Sequence, residues 1–199
     1  VARIRRAIES KERIVIFGDY DVDGITGTAI LVHTLQKLGA QVSYRLPHRM
    51  EDGYGLREKN IHELSELNVT LIITVDNGIS AGNEIALAHS LGIDVIITDH
   101  HTLPETMPEK AFSILHPLYK KSYPFEGLTG SAVAFKLAEA LLSSLLPATE
   151  QHKEIIALLD LACMGTIADM GPLRGENRAI VKFGLEALAR TRWPGLSKL

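Results

Sequence analysis

The chain has one cysteine, Cys163, so an internal disulfide framework is excluded and a reducing compartment is expected. That thiol lies in the apolar stretch Leu158–Met164, where a small buried side chain is expected rather than a nucleophile. No apolar run approaches the length of a membrane span and no signal peptide opens the sequence, so a cytoplasmic location without membrane contact is expected. A positive excess is also missing: the formal net charge is −3, which is not the overall signature of a nucleic-acid binder. That count misleads if cations offset several of the acids. Basic residues do gather at Arg3, Arg5, Arg6, Lys11 and Arg13, which read as a solvated face, and at Arg45, His48 and Arg49. Internal repeats and low-complexity tracts are absent, and no arrangement of Ser, Cys or Lys suggests covalent catalysis. With 199 residues, 46% of them hydrophobic, the chain is long enough for one good core with room for a small appendage.

What is present is an alternation of helical and strand-like segments. Ile4–Glu9 reads as a helix and Arg13–Phe17 as an apolar strand. Thr26–Leu38 carries Ile30, Leu31, Thr34, Leu35 and Leu38 at helical spacing and ends at Gly39. Gln41–Leu46, Thr70–Val75 and Ile93–Thr98 read as further strands, with helices at Arg57–Leu67 and from a Ser80 cap to Gly92. The β-α-β order predicts an α/β fold, a doubly wound parallel sheet with helices on both faces. Its strands are apolar throughout, as burial on both sides requires. Thr102–Tyr123 is richer in proline and polar residues and predicts a loop with one short strand at Ser113–Leu115. Helices at Thr129–Leu146, Gln151–Thr166 and Glu176–Arg190 complete a helical C-terminal segment.

Acidic motifs stand where these elements end: Asp19-Tyr-Asp21-Val-Asp23-Gly24, Asp76-Asn77-Gly78, Asp99-His100-His101 and Ile167-Ala168-Asp169. Parallel sheets bring the carboxyl ends of their strands to one edge, where ligands bind. Carboxylates crowded there repel one another unless a divalent cation neutralises them. The first motif superficially matches an EF-hand loop, but its twelfth residue is Ile30 rather than Glu and a strand precedes it. One of its acids could cap the next helix; three at alternate positions exceed what capping needs. Asp-Asn-Gly is also an ordinary turn, so Asp76 alone decides nothing. Adjacent imidazoles after an aspartate are costly unless used, one for a metal and one for a phosphate or a ligand. Asp169 at a helix C-terminus opposes the dipole, which favours a ligand role. Hard oxygen donors with one imidazole suit Mn²⁺ or Mg²⁺, and two such ions could clamp a phosphoryl transfer.

The set DYDVDG, VDNG, DHH and IADMGPL resembles the DHH phosphoesterase superfamily, over nearly the whole chain. The intervening PHRMEDGYGL, YPFEGLTGSAVAFKL and GENR are similar to the RecJ-type single-strand DNA exonucleases. That resemblance implies a DHH catalytic domain over 1–199, without the smaller C-terminal and oligonucleotide-binding domains of the family, and so a formed metal site with feeble substrate affinity. It implies one ion on Asp21 and Asp76 with Asp19 in or near its shell. A second ion would take Asp23, Asp76, His100 and Asp169, making Asp76 the bridge. His101 would contact the scissile phosphate and Asp99 would support the histidines. Arg49 would grip DNA phosphate, and Gly130 and Ser131 would offer free N–H groups to another. An ion pair of Arg49 with Glu51 or Asp52, and plain capping at Thr129 and Ser131, explain these residues equally well.

The implied activity is 5′-to-3′ hydrolysis of single-stranded DNA in repair and recombination. The implied partners are single-stranded DNA with a single-strand-binding protein or a helicase, around a monomer. Alternatives stay open: a relative acting on short RNA, cyclic dinucleotides or pyrophosphate, an aspartyl-phosphate phosphatase, or a scaffold that has lost its metals.

Overall fold

The structure is a computed structural model that describes residues 1–48, 53, 55–121 and 123–198. Five strands, β1 (Arg13–Gly18), β2 (Gln41–Arg45), β3 (Val69–Val75), β4 (Asp94–Thr98) and β5 (Ser113–Leu115), form one parallel sheet in the order β2-β1-β3-β4-β5. Between them run α2 (Val22–Lys37), α3 (Glu58–Glu66) and α4 (Gly82–Ser90), preceded by α1 (Ala2–Glu9). The chain then continues through α5 (Gly130–Leu145), α6 (Ala148–Ile156), α7 (Leu159–Ala168) and α8 (Gly175–Leu188).

Alternate strand residues feed two separate cores. Ile14, Ile16, Leu71, Ile73 and Val75 pack under α1, α2, α5 and α7. Val15, Phe17, Ile72, Val95 and Ile97 meet Ile61 and Leu64 of α3 and Ile85 and Ala88 of α4. Both faces are therefore dry, which is why the strands lack the polar alternation of a half-exposed sheet. The order reverses at β1: the chain first steps outward to β2, then returns to lay β3 on the other side. A crevice opens at such a switch point, at the carboxyl ends of the strands.

Three boundaries differ from expectation. Helix α2 begins at Val22 rather than Thr26, because Asp21 is its N-cap and accepts the Gly24 N–H at 2.9 Å. The acidic loop is thus largely a helical first turn. Ser80 does not cap α4; Ala81 holds that position without a side-chain bond, following a turn in which the Ala81 N–H reaches the Gly78 carbonyl. The single helix expected over Gln151–Thr166 is two, α6 and α7, broken at Ala157 and Leu158. No glycine or proline marks that break. Tertiary contacts explain it: Leu158 is buried in the core, and Asp160 takes up the Thr191 hydroxyl at 2.7 Å and the Trp193 indole at 3.2 Å.

Candidate metal centre

Strand register places the acids. Gly18 pairs with Val75, Val75 with Thr98 and Thr98 with Leu115, so the residues that follow, Asp19, Asp76, Asp99 and His116, form one row across the sheet edge. The ladder extends one bond into that row: the Asp19, Asp76 and Asp99 N–H groups donate to the Val75, Thr98 and Leu115 carbonyls. Asp76 holds a left-handed backbone, φ 61°, which turns the chain sharply at the switch point. Such a conformation is unusual for a residue with a Cβ and is strain of the kind kept at functional sites. Asn77 next to it is fully buried, donating to the Phe17 and Val75 carbonyls and clamping β1 to β3.

Three sets of donor atoms converge, each within 4.8 Å: Asp19, Asp21 and Asp76; Asp23, His100 and Asp169; and Asp76, His100 and His101. His100 Nε2 lies 3.1 Å from Asp76 Oδ1, 3.8 Å from Asp23 Oδ2 and 3.9 Å from Asp169 Oδ2. Burial is the main force on Asp76, which is 2% exposed; with Asp23 nearby it pushes that carboxyl up to about 7. Burial also raises Asp19 and Asp169 above the ordinary carboxylate range. For His100, burial opposes the charged form, but Asp76, Asp23 and Asp169 outweigh it and raise the ring.

Around this cluster sits a supporting shell. Asp99 accepts from the N–H groups of Ile79, His100 and His101 and lies 2.7 Å from His101 Nδ1. Burial works against the Asp99 carboxylate, yet those donors hold it below its usual range. The hydrogen bond to Asp99 in turn lifts His101 to about 9, so His101 is a cation at neutral pH. Asp23 accepts from the Gly130 N–H at 2.6 Å and the Ser131 N–H at 2.9 Å, at the positive end of α5. This corrects the expectation for Gly130 and Ser131: their N–H groups are not free for phosphate but anchor an acid of the cluster. Gly130 is also sterically required, since a Cβ there would stand 2.5 Å from Asp76 Oδ1. Asp169 is the C-cap of α7, as its sequence position suggested. Arg49, with Glu51 and Asp52, lies outside the described residues.

Sequence reasoning missed His116. Its Nδ1 accepts the Leu118 N–H at 3.1 Å, so Nε2 carries the proton and donates to the His101 carbonyl at 2.7 Å. The signal was available: His116 follows an apolar strand, just as Asp19, Asp76 and Asp99 do.

The donor set fits divalent cations. It is hard oxygen with imidazole and no thiolate, and Asp19 Oδ1 is buried with no hydrogen-bond partner among the described residues. Fold and site together define a doubly wound α/β domain with an acidic, histidine-bearing cation cluster at its switch point. A family model, the DHH family N-terminal domain, matches residues 13–166, and the chain belongs to that family. The single-stranded-DNA-specific exonuclease RecJ of Bacillus subtilis (strain 168) is 48% identical over 198 residues, covering 99% of this chain and 24% of that protein. A crystal structure of exonuclease RecJ bound to manganese superposes with a TM-score of 0.88 at 42% identity, over 98% of this chain and 48% of that one. RecJ of Thermus thermophilus in complex with Mg²⁺ gives 0.68 at 36% identity, over 98% and 24%. The chain thus spans about a quarter to a third of the length of the first curated relatives it matches.

Proposed function

We propose that this chain is the catalytic lobe of a Mn²⁺- or Mg²⁺-dependent exonuclease that hydrolyses phosphodiester bonds of single-stranded DNA from a 5′ end. The observation that carries the proposal is the place of Asp76, common to two of the donor groups and seated where the strand order reverses. Likeness to proteins named single-stranded-DNA-specific exonuclease RecJ supports the DNA substrate; the 5′ polarity rests on the resemblance of the motifs alone, and the carboxylates bear only on phosphoester chemistry.

Asp19, Asp21 and Asp76 would hold one ion, and Asp23, Asp76, His100 and Asp169 the other. When bound, such cations acidify water and offset the charge of a phosphate ester. The chain's own residues do the rest. His101, half-exposed at the mouth of the cluster, would present its ring to the scissile phosphate. Asp99 fixes the ring by holding Nδ1, and His116 fixes the backbone that carries it. Asp23 is oriented by the first N–H groups of α5, so its carboxylate is set before any ligand arrives. Arg49 and the basic residues beside it would meet DNA phosphates, and a cytoplasmic setting belongs to the same reading.

The test gives the purified chain, at high concentration with Mn²⁺, a single-stranded oligonucleotide, its duplex, an RNA oligomer, a cyclic dinucleotide and pyrophosphate. Preferential release of mononucleotides from the 5′ end of the single strand is the expected result. Faster turnover of any of the other four would replace the substrate assignment.

A further inference from the structure

Large apolar side chains are exposed beside the acids, where a soluble surface would ordinarily be polar. Val22 and Ile25, three residues apart on the first turns of α2, flank Asp23, and Ile167 and Met170 flank Asp169; all four are exposed. The acids they flank are neighbours in space: Asp23 and Asp169 belong to the same 4.8 Å donor group. One turn further in, α2 and α7 touch: a Cβ on Gly165 would meet Thr26 Oγ1 at 2.5 Å.

Met170 departs furthest from what folding alone would choose. Helix α7 ends in a Schellman turn, with the Gly171 N–H bonded to the Thr166 carbonyl and the Met170 N–H to the Ile167 carbonyl. Met170 occupies its left-handed position, φ 58°, where glycine is the usual residue because a Cβ is penalised. It is nevertheless a long apolar side chain, and 89% exposed. Both the backbone and the exposure are unfavourable in the isolated fold.

Charge narrows what this crest could meet. There is no Lys or Arg from Asp19 to Gln36, and none from Glu154 to Leu173. A nucleic acid whose phosphate lies on the acidic cluster must place its next nucleotide within several ångströms, and neither of these two segments carries a Lys or Arg to meet a second phosphate. Apolar contact with a base face is what the surface offers. We propose, resting on the nuclease reading above, that Val22, Ile25, Ile167 and Met170 form an apolar rim that takes the nucleobase flanking the scissile phosphate. Such a rim selects for single strands: in a duplex the base faces are stacked and out of reach, leaving only sugar-phosphate to meet two segments without Lys or Arg.

The experiment compares wild type with Met170→Gly and Ile167→Ser. It measures thermal melting, fluorescence anisotropy of a labelled phosphorothioate oligothymidylate in Mn²⁺, kinetics on the ordinary oligonucleotide, and mass by light scattering. Met170→Gly is expected to melt at or above wild type, because glycine suits the turn, while binding the strand about fivefold more weakly. KM should rise by a similar factor with kcat unchanged, and Ile167→Ser should act in the same direction. Unchanged strand binding in both variants would overturn the rim. So would a wild-type dimer that Met170→Gly dissociates while strand affinity stays the same, since the patch would then seat a second copy. Weaker binding by the variants of a wild type that binds but never hydrolyses would sink the nuclease reading and leave the rim standing.

Discussion

Asp99 Oδ1 lies 2.7 Å from His101 Nδ1, and the same carboxylate takes the N–H groups of Ile79, His100 and His101. One buried side chain thus fixes the backbone of the histidine pair, the orientation of one ring and the turn between β3 and α4. Asp99→Asn keeps much of the shape but removes the negative charge that sustains His101 as a cation. Supporting residues of this kind typically carry ten- to a hundredfold effects. A fall of kcat in that range is expected for Asp99→Asn with the fold intact by circular dichroism; turnover within twofold of wild type would refute the role.

Asp76 has the opposite relation to stability. Its carboxyl is pushed from 3.8 to about 7 by burial, so between those values the folded state binds a proton that the unfolded chain does not. Lowering the pH through about 7 should therefore stabilise the metal-free protein, and the cost of the charged form at higher pH is on the order of a few kcal/mol. Asp76→Asn tolerates the left-handed backbone and carries no charge. In EDTA it is expected to melt above wild type at pH about 8, with the gap narrowing as the pH falls through about 7 and closing only below about 4, while hydrolysis is lost. A melting temperature at pH about 8 below that of wild type would contradict the assignment.

Cations should reverse that penalty. At about a hundred times its Kd, one bound ion adds ~2.7 kcal/mol to the folded state, or roughly 5–10 °C for a chain of this size. Differential scanning fluorimetry with Mn²⁺ should show that rise in wild type and little of it in Asp76→Asn. Equal shifts in both would mean the ion binds elsewhere.

Gly130 separates helix propensity from site geometry. In an ordinary helix, replacing glycine by alanine gains up to ~1 kcal/mol. Here the added methyl would stand 2.5 Å from Asp76 Oδ1, so Gly130→Ala is expected to lose stability by about 1–3 kcal/mol and to weaken Mn²⁺ binding, by melts and by titration calorimetry. A stabilised variant with normal Mn²⁺ affinity would show that the close approach has no consequence.

Much of the site was readable because strands buried on both faces announce themselves. Ile14–Phe17, Leu71–Val75 and Val95–Thr98 are apolar enough to be strands with no alternative period, and the acids that follow inherit their place from the register. What stayed hidden depends on distant parts of the chain. Asp23 is joined to Gly130 across 107 residues, and nothing local reports that those N–H groups are already taken. The break between α6 and α7 is set by Leu158 and Asp160 meeting the core and the C-terminal residues Thr191 and Trp193, not by a helix-breaking residue. His116 was overlooked because β5 is only three residues long and the residue that follows it is not an acid.

The central claim, that these carboxylates stand together to hold divalent cations, is tested most directly by anomalous diffraction at the manganese edge on Mn²⁺-soaked crystals. Two peaks about 4 Å apart are expected, one touching Asp19 and Asp21, the other Asp23, His100 and Asp169, with Asp76 in contact with both. Peaks away from Asp76, or none at saturating Mn²⁺, would contradict it.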